Sequence, residues 1–191
     1  MFRLTKPSEE YIRRFVASQR YLPFSYAGVG ATLTSPPPGY NVDHNRIRLG
    51  TGQEVFERAV AALRGWEMFN IGWVRLCWPE TPLAVGATFG VIIRHFGFCS
   101  LNTARIVYMI DESVPTRRYG FAYGTLPGHA ERGEECFMVE WRADGDSVWY
   151  DLFAFSRPNH VLTWLGYPLT RMLQKRFARD SKAAMARAVA R

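Results

Sequence analysis

The apolar positions of this chain change their period twice. Over residues 8–20 (SEEYIRRFVASQR), Tyr11, Ile12, Phe15 and Val16 recur at helical spacing. Ser8 can cap that turn, and Glu9 and Glu10 suit the positive end of a helix dipole. A short amphipathic helix is predicted there. The run Pro36-Pro37-Pro38-Gly39 then imposes a stiff, extended linker. Residues 40–49 read as an imperfect strand, broken by Gly50-Thr51-Gly52. Residues 51–66 (TGQEVFERAVAALRGW) return to helical spacing, with Val55, Phe56, Ala59, Val60 and Leu63 on one face.

From Trp73 the period becomes that of strands. Six segments qualify: 73–78, 85–94, 102–110, 118–125, 134–142 and 147–156. Turn residues separate them at Pro79 and Pro82, Gly97, Asp111 to Pro115, Pro127-Gly128 and Asp144-Gly145, and 143–146 reads as a tight hairpin. Connections this short make consecutive strands antiparallel. Pro158 ends the sheet region, and 160–190 reads as a helix kinked or split early by Gly166 and Pro168. Its apolar stripe is Leu165, Leu169, Leu173, Phe177 and Ala184.

The order is strand, helix, six strands, long helix. It predicts one α+β domain over 1–191: a highly curved antiparallel sheet of about seven strands wrapped around a long C-terminal helix. Residues 39–157 form the sheet with the helix at 51–66, and 158–191 the closing helix. A cavity remains if the helix cannot fill the cup. Residues 1–38 carry Tyr11, Phe15, Tyr21, Phe24 and Tyr26, too many rings to leave in water. They are expected to fold back on the core. The alternative is packing on a second subunit as a homodimer.

Composition narrows the classes. Cys77, Cys99 and Cys136 are odd in number, lack a CxxC spacing and sit in apolar runs, so buried thiols are expected rather than disulfides or zinc. That suits the cytoplasm. No signal-like or membrane-spanning apolar run is present in the sequence. Aromatic residues make up 15%, enough to line a ligand cavity as well as fill a core. The formal charge is +7, and +6 of it falls within 171–191. Arg171, Lys175, Arg176, Arg179 and Lys182 on that helix could contact an anionic surface, membrane or nucleic acid.

Several strings of the sequence carry a resemblance. They are residues 26–32 (YAGVGAT), 105–108 (RIVY), 119–129 (YGFAYGTLPGH), 133–135 (GEE), 148–150 (VWY) and 154–158 (AFSRP). The chain resembles the DUF1990 (UPF0548) family over nearly its whole length. Its element order is similar to the helix-grip superfamily of START and polyketide-cyclase-like proteins. The family brings no established reaction. The wider superfamily implies a cup that holds lipids, sterols or polyketides, in some members with catalysis.

The leading expectation is therefore a module that binds an apolar or amphipathic, lipid-like molecule. Tyr108, Phe121, Tyr123, Phe137, Trp149 and Phe155 are the candidate lining. Arg105 and Arg157 are candidate anchors for a ligand anion, or else rim charges paired with Glu134, Glu140 or Asp151. Strand 118–125 is bulky on one face (Tyr119, Phe121, Tyr123, Thr125) and nearly bare on the other (Arg118, Gly120, Ala122, Gly124), which lets a helix, a ligand or another backbone come close, with helix packing the expected occupant. His129, Glu131, Glu134 and Glu135 could gather at the turn that follows. An enzyme on this scaffold would use His129 as base, Glu134 to orient it and Tyr123 as donor to an oxyanion. His44, His95 and His160 are too scattered to complete a metal site with His129, Glu131 and Glu134. Nucleotide-binding and hydrolase motifs are missing from the sequence, so neither cofactor nor metal is expected.

Overall fold

The computed structural model describes residues 2–3, 7–78, 80–95, 97–159 and 166–190. His160, Leu165 and Arg191 lie outside the described residues, as does the side chain of His95. The strands are β1 (Phe2–Arg3), β2 (Asn41–Thr51), β3 (Val74–Cys77), β4 (Thr88–His95), β5 (Phe98–Glu112), β6 (Arg117–Thr125), β7 (Glu131–Arg142) and β8 (Ser147–Pro158). The helices are α1 (Glu9–Gln19), α2 (Gly52–Arg64) and α3 (Tyr167–Val189). Among the described residues, seven strands run in the order β2-β8-β7-β6-β5-β4-β3, all antiparallel, and β1 pairs with β5.

The concave face of this curved sheet holds α2 and α3. Phe56, Ala59 and Leu63 of α2 join Phe89, Ile106, Phe121, Phe137, Val139, Tyr150 and Leu152 of the sheet in one buried cluster. The second half of α3 enters the same cluster through Ala178, Ala184, Met185 and Val189. Small residues there bring helix and sheet together, and the buried Ser181 hydroxyl meets Tyr150 Oη at 2.8 Å. The first half of α3 is different: it carries the larger Leu169, Leu173 and Phe177, which stand over open space. Of the helix expected over 160–190, residues 160–165 lie outside the described residues, and α3 runs from Tyr167 to Val189. Gly166 is its N-cap and Pro168 lies in its first turn, where the N–H that proline lacks has no intrahelical partner to lose.

Part of the convex face is covered by residues 7–40. Ile12, Phe15 and Val16 of α1 pack on Cys77, Ile92 and Leu101. Ser8 caps α1 by accepting from the Tyr11 N–H at 3.3 Å. Phe24, Tyr26, Ala31 and Tyr40 then close over Phe155. The bare face of β6 receives this segment. A Cβ on Gly124 would lie 2.3 Å from Tyr26 Oη and 2.9 Å from Phe24 Cδ1. Neither the long helix nor a ligand takes that place.

The α3 cations are largely engaged within the chain. Arg171 grips Asp43 with both terminal nitrogens, at 2.6 and 2.7 Å. Arg176 and Arg179 share Asp180, and Lys182 donates to Asn45. No helix among the described residues is long and apolar enough to cross a membrane.

Candidate functional site

Under the first half of α3 lies a cavity of about 580 Å³. Its walls come from the concave sides of β2 and β4 to β8, its floor from Phe69 and Trp73, and its roof from α3. The apolar lining includes Val91, Ile93, Ala104, Leu152, Leu173 and Phe177. Among the described lining residues, Leu169 and Lys175 of α3 are exposed. The cavity exists because α3 changes residue size along its length. Its second half seats closely on the sheet, and its first half is held off by bulkier side chains.

Polar groups gather along one wall. Strand alternation sends Glu131, Gly133 and Glu135 of β7 inward, in phase with the core residues Phe137 and Val139. Tyr123, across from Glu135 on β6, donates its hydroxyl to that carboxylate. Gln174 on α3 donates to Glu131 and, at 2.9 Å, to Ser156 Oγ. Glu131 Oε1 is buried and has no hydrogen-bond partner among the described residues. Burial pushes the Glu135 carboxyl up to about 7; its bond from Tyr123 opposes the rise, while Asp43 and Glu131 add to it. Burial likewise raises Glu131, and burial and the neighbouring carboxylate raise Tyr123.

Glu134 is one residue away and faces the opposite side of the sheet. Its carboxylate accepts from Tyr26 Oη at 2.6 Å, from the Gly30 N–H at 2.7 Å and from the Thr32 N–H at 3.0 Å. The Thr32 hydroxyl donates to it as well. Gly30 can present its N–H because it holds a left-handed φ of 87°, which a side chain would strain. His129, Glu134 and Tyr123 all border the cavity, but the Glu134 carboxylate is taken up by Tyr26, Gly30 and Thr32 and is not offered to the other two. His129 instead folds its ring on its own turn, where Nδ1 accepts from the Glu131 N–H at 3.0 Å. Among the described residues no group of three His, Cys, Asp or Glu side chains is placed to hold a metal ion.

The aromatic candidates divide in the same way. Tyr123 lines the cavity, while Phe121 and Phe137 are fully buried in the core beside it. Tyr108 and Trp149 turn away from it, and Phe155 borders it while its ring points to the other face. In β8 the inward set is Val148, Tyr150 and Leu152, so simple alternation sends Trp149 and Phe155 outward. The Trp149 ring lies under Arg46, and the Phe155 ring packs edge-on against Tyr26 and Tyr40. In β5 a register shift between Ile106 and Tyr108 reverses the phase. Ile106 and Met109 thus face the core, and Tyr108 points outward to Thr32.

Neither arginine reaches the cavity. Arg105 caps the end of α1, donating to the carbonyls of Gln19, Arg20 and Leu22 at 3.3, 2.6 and 2.8 Å. Arg157 lies over the Tyr40 ring at 4.5 Å. The acids considered for them serve others: Glu140 binds Arg46 and Arg118, and Asp151 binds Arg46 and His44. The groups that sequence reasoning passed over are Gln174, Ser156 and the inward role of Glu135. The signal for Glu135 was its parity with Phe137 and Val139, which puts an acid on the core face of its strand.

Residues 25–184 match the domain of unknown function DUF1990. The chain is 37% identical to a UPF0548 protein of Dictyostelium discoideum, over 99% of this chain and 96% of that one. It is 41% identical to a UPF0548 protein of Deinococcus radiodurans, over 98% of each. Among solved structures, a hypothetical protein from Helicobacter pylori superposes with a TM-score of 0.49 at 14% identity, over 80% of this chain and 88% of that one.

Proposed function

This chain belongs to the DUF1990 family, and we propose that it binds a small amphipathic molecule in the cavity beneath α3. The observation that carries this reading is the cavity itself. It is about 580 Å³, walled mainly by apolar side chains, with a minority of polar groups contributed by β2, β5 to β8 and α3. Ligand sites are built this way, with an apolar body and a few fixed polar contacts that set orientation. A cavity lined by Phe69, Trp73, Val91, Ile93, Leu173 and Phe177 favours an aliphatic or aromatic body. The Tyr123, Glu135, Glu131 and Gln174 wall favours a head group that donates hydrogen bonds.

The test is saturable binding of a neutral fluorescent probe, N-phenyl-1-naphthylamine, and its displacement by 1-decanol. One site per chain is expected for the wild type. Leu173→Trp, which fills the roof, should abolish binding with little change in the unfolding midpoint. Equal probe response in both proteins, or none in either, would overturn the proposal. Native mass spectrometry of gently purified protein should also show a carried ligand that organic extraction removes.

A further inference from the structure

The polar wall of the cavity has a sign. Glu131 and Glu135 both point in from β7, and Glu131 Oε1 lacks a hydrogen-bond partner among the described residues. The cations around them are few and already placed. Arg171 of α3 is held by Asp43 of β2 at 2.6 and 2.7 Å. Lys175 of α3 borders the cavity but is exposed. Facing Glu135 are Tyr123 from β6, Glu131 from its own strand and Asp43 from β2; two of those three are acids. His129 from the turn before β7 and Gln174 from α3 complete the wall.

We infer that the cavity selects a protonated amine with an apolar body, the ammonium held at the acidic wall to which Glu131 and Glu135 contribute. The inference rests on the cavity-binding reading above. An ammonium has three donors and a positive charge, so it can reach the open acceptor on Glu131 and compensate Glu135 together. An alcohol of the same length offers one donor and no charge. A carboxylate or phosphate head would meet two acids, an exposed lysine and an arginine already paired with Asp43, a balance that the low dielectric of the site penalises.

A pH dependence follows. The Glu135 carboxyl sits near 7, so below that pH it is mostly neutral and must lose its proton to pair with an ammonium. Amine binding below pH 7 should release close to one proton, and affinity should rise between pH 6 and pH 8 before levelling.

The experiment compares decylamine, 1-decanol and decanoate as competitors of the neutral probe at pH 8, on wild type, Glu135→Gln and Glu131→Gln. Calorimetry at pH 6 in two buffers of different ionisation enthalpy counts the proton, and no release there overturns the role given to Glu135. Decylamine should bind about tenfold tighter than decanol in the wild type. Decanoate should be the weakest, and Glu135→Gln should bring amine and alcohol within about twofold of each other. Glu131→Gln should weaken decylamine in the same direction. Equal affinities for amine and alcohol in the wild type, or tighter decanoate, overturn the inference and leave the binding reading standing. Failure of all three, decanol included, overturns both.

Discussion

Glu134 and Glu135 are chemically identical neighbours on one strand, and the sheet gives them opposite surroundings. Glu134 is 2% exposed and receives four hydrogen bonds, from Tyr26, Gly30 and both donors of Thr32. It is a fastening: its carboxylate ties residues 26–32 to the convex face. Glu135 receives one bond, from Tyr123, and faces a cavity. A carboxylate facing an apolar space is destabilised in its charged form, as burial does to Glu135. The difference teaches that acids on a half-buried strand cannot be sorted into structural and functional by type. Strand phase and the partner on each face decide.

Four substitutions test that contrast, taken from the largest expected effect to the smallest. Glu134→Ala leaves the buried donors of Tyr26, Gly30 and Thr32 without an acceptor. It should cost about 3–5 kcal/mol in urea unfolding, in the range for breaking a buried charged cluster. A loss under about 1 kcal/mol would mean the fastening contributes little. Gly124→Ala should follow, at about 1–3 kcal/mol, because its new Cβ would collide with Tyr26 and displace the hydroxyl that Glu134 accepts. The same change in a Tyr26→Ala background should cost less, and equal costs would refute the collision.

Glu135→Gln should act in the opposite sense. Its folded pKa, about 7, lies above the unfolded carboxylate value, so the folded state binds more protons between the two. Stability from this group is therefore lost as pH rises toward 7, and the glutamine is spared that loss. The variant should be about 1–3 kcal/mol more stable than wild type at pH 8, with no such gain near pH 4. The difference between their unfolding curves across pH is the measurement, and a destabilised variant at pH 8 would break the comparison. Tyr123→Phe should have the smallest effect on stability, about 1 kcal/mol or less. Its signature is spectroscopic: the Tyr123 bond holds Glu135 down, so removing it should move the carboxyl titration above about 7 in a carbon-13 NMR experiment. An unchanged titration would show that the hydroxyl does not act on this carboxylate.

Much of the fold was legible in the chain because it rests on local periodicity. The spacing of Val55, Phe56, Ala59 and Leu63 marked α2, and the six alternating segments after Trp73 correspond to β3 through β8. The short turns between them left antiparallel pairing as the only economical order. The glycine-bearing face of β6 also announced a close approach from residue types alone.

Three decisions were made by the tertiary structure. The bulge between Ile106 and Tyr108 reversed the phase of β5, which no periodicity at either end reveals. The occupant of the bare β6 face turned out to be residues 24–26, a contact some hundred positions apart in the chain. The change from bulky to small residues along α3 acquired meaning only against the curved sheet, where it opens a cavity at one end and closes the core at the other. Sequence fixes which residues can share a face, since backbone geometry sets that within each element. Which face meets the core, the N-terminal segment or empty space depends on non-local packing, and that separated Glu134 from Glu135.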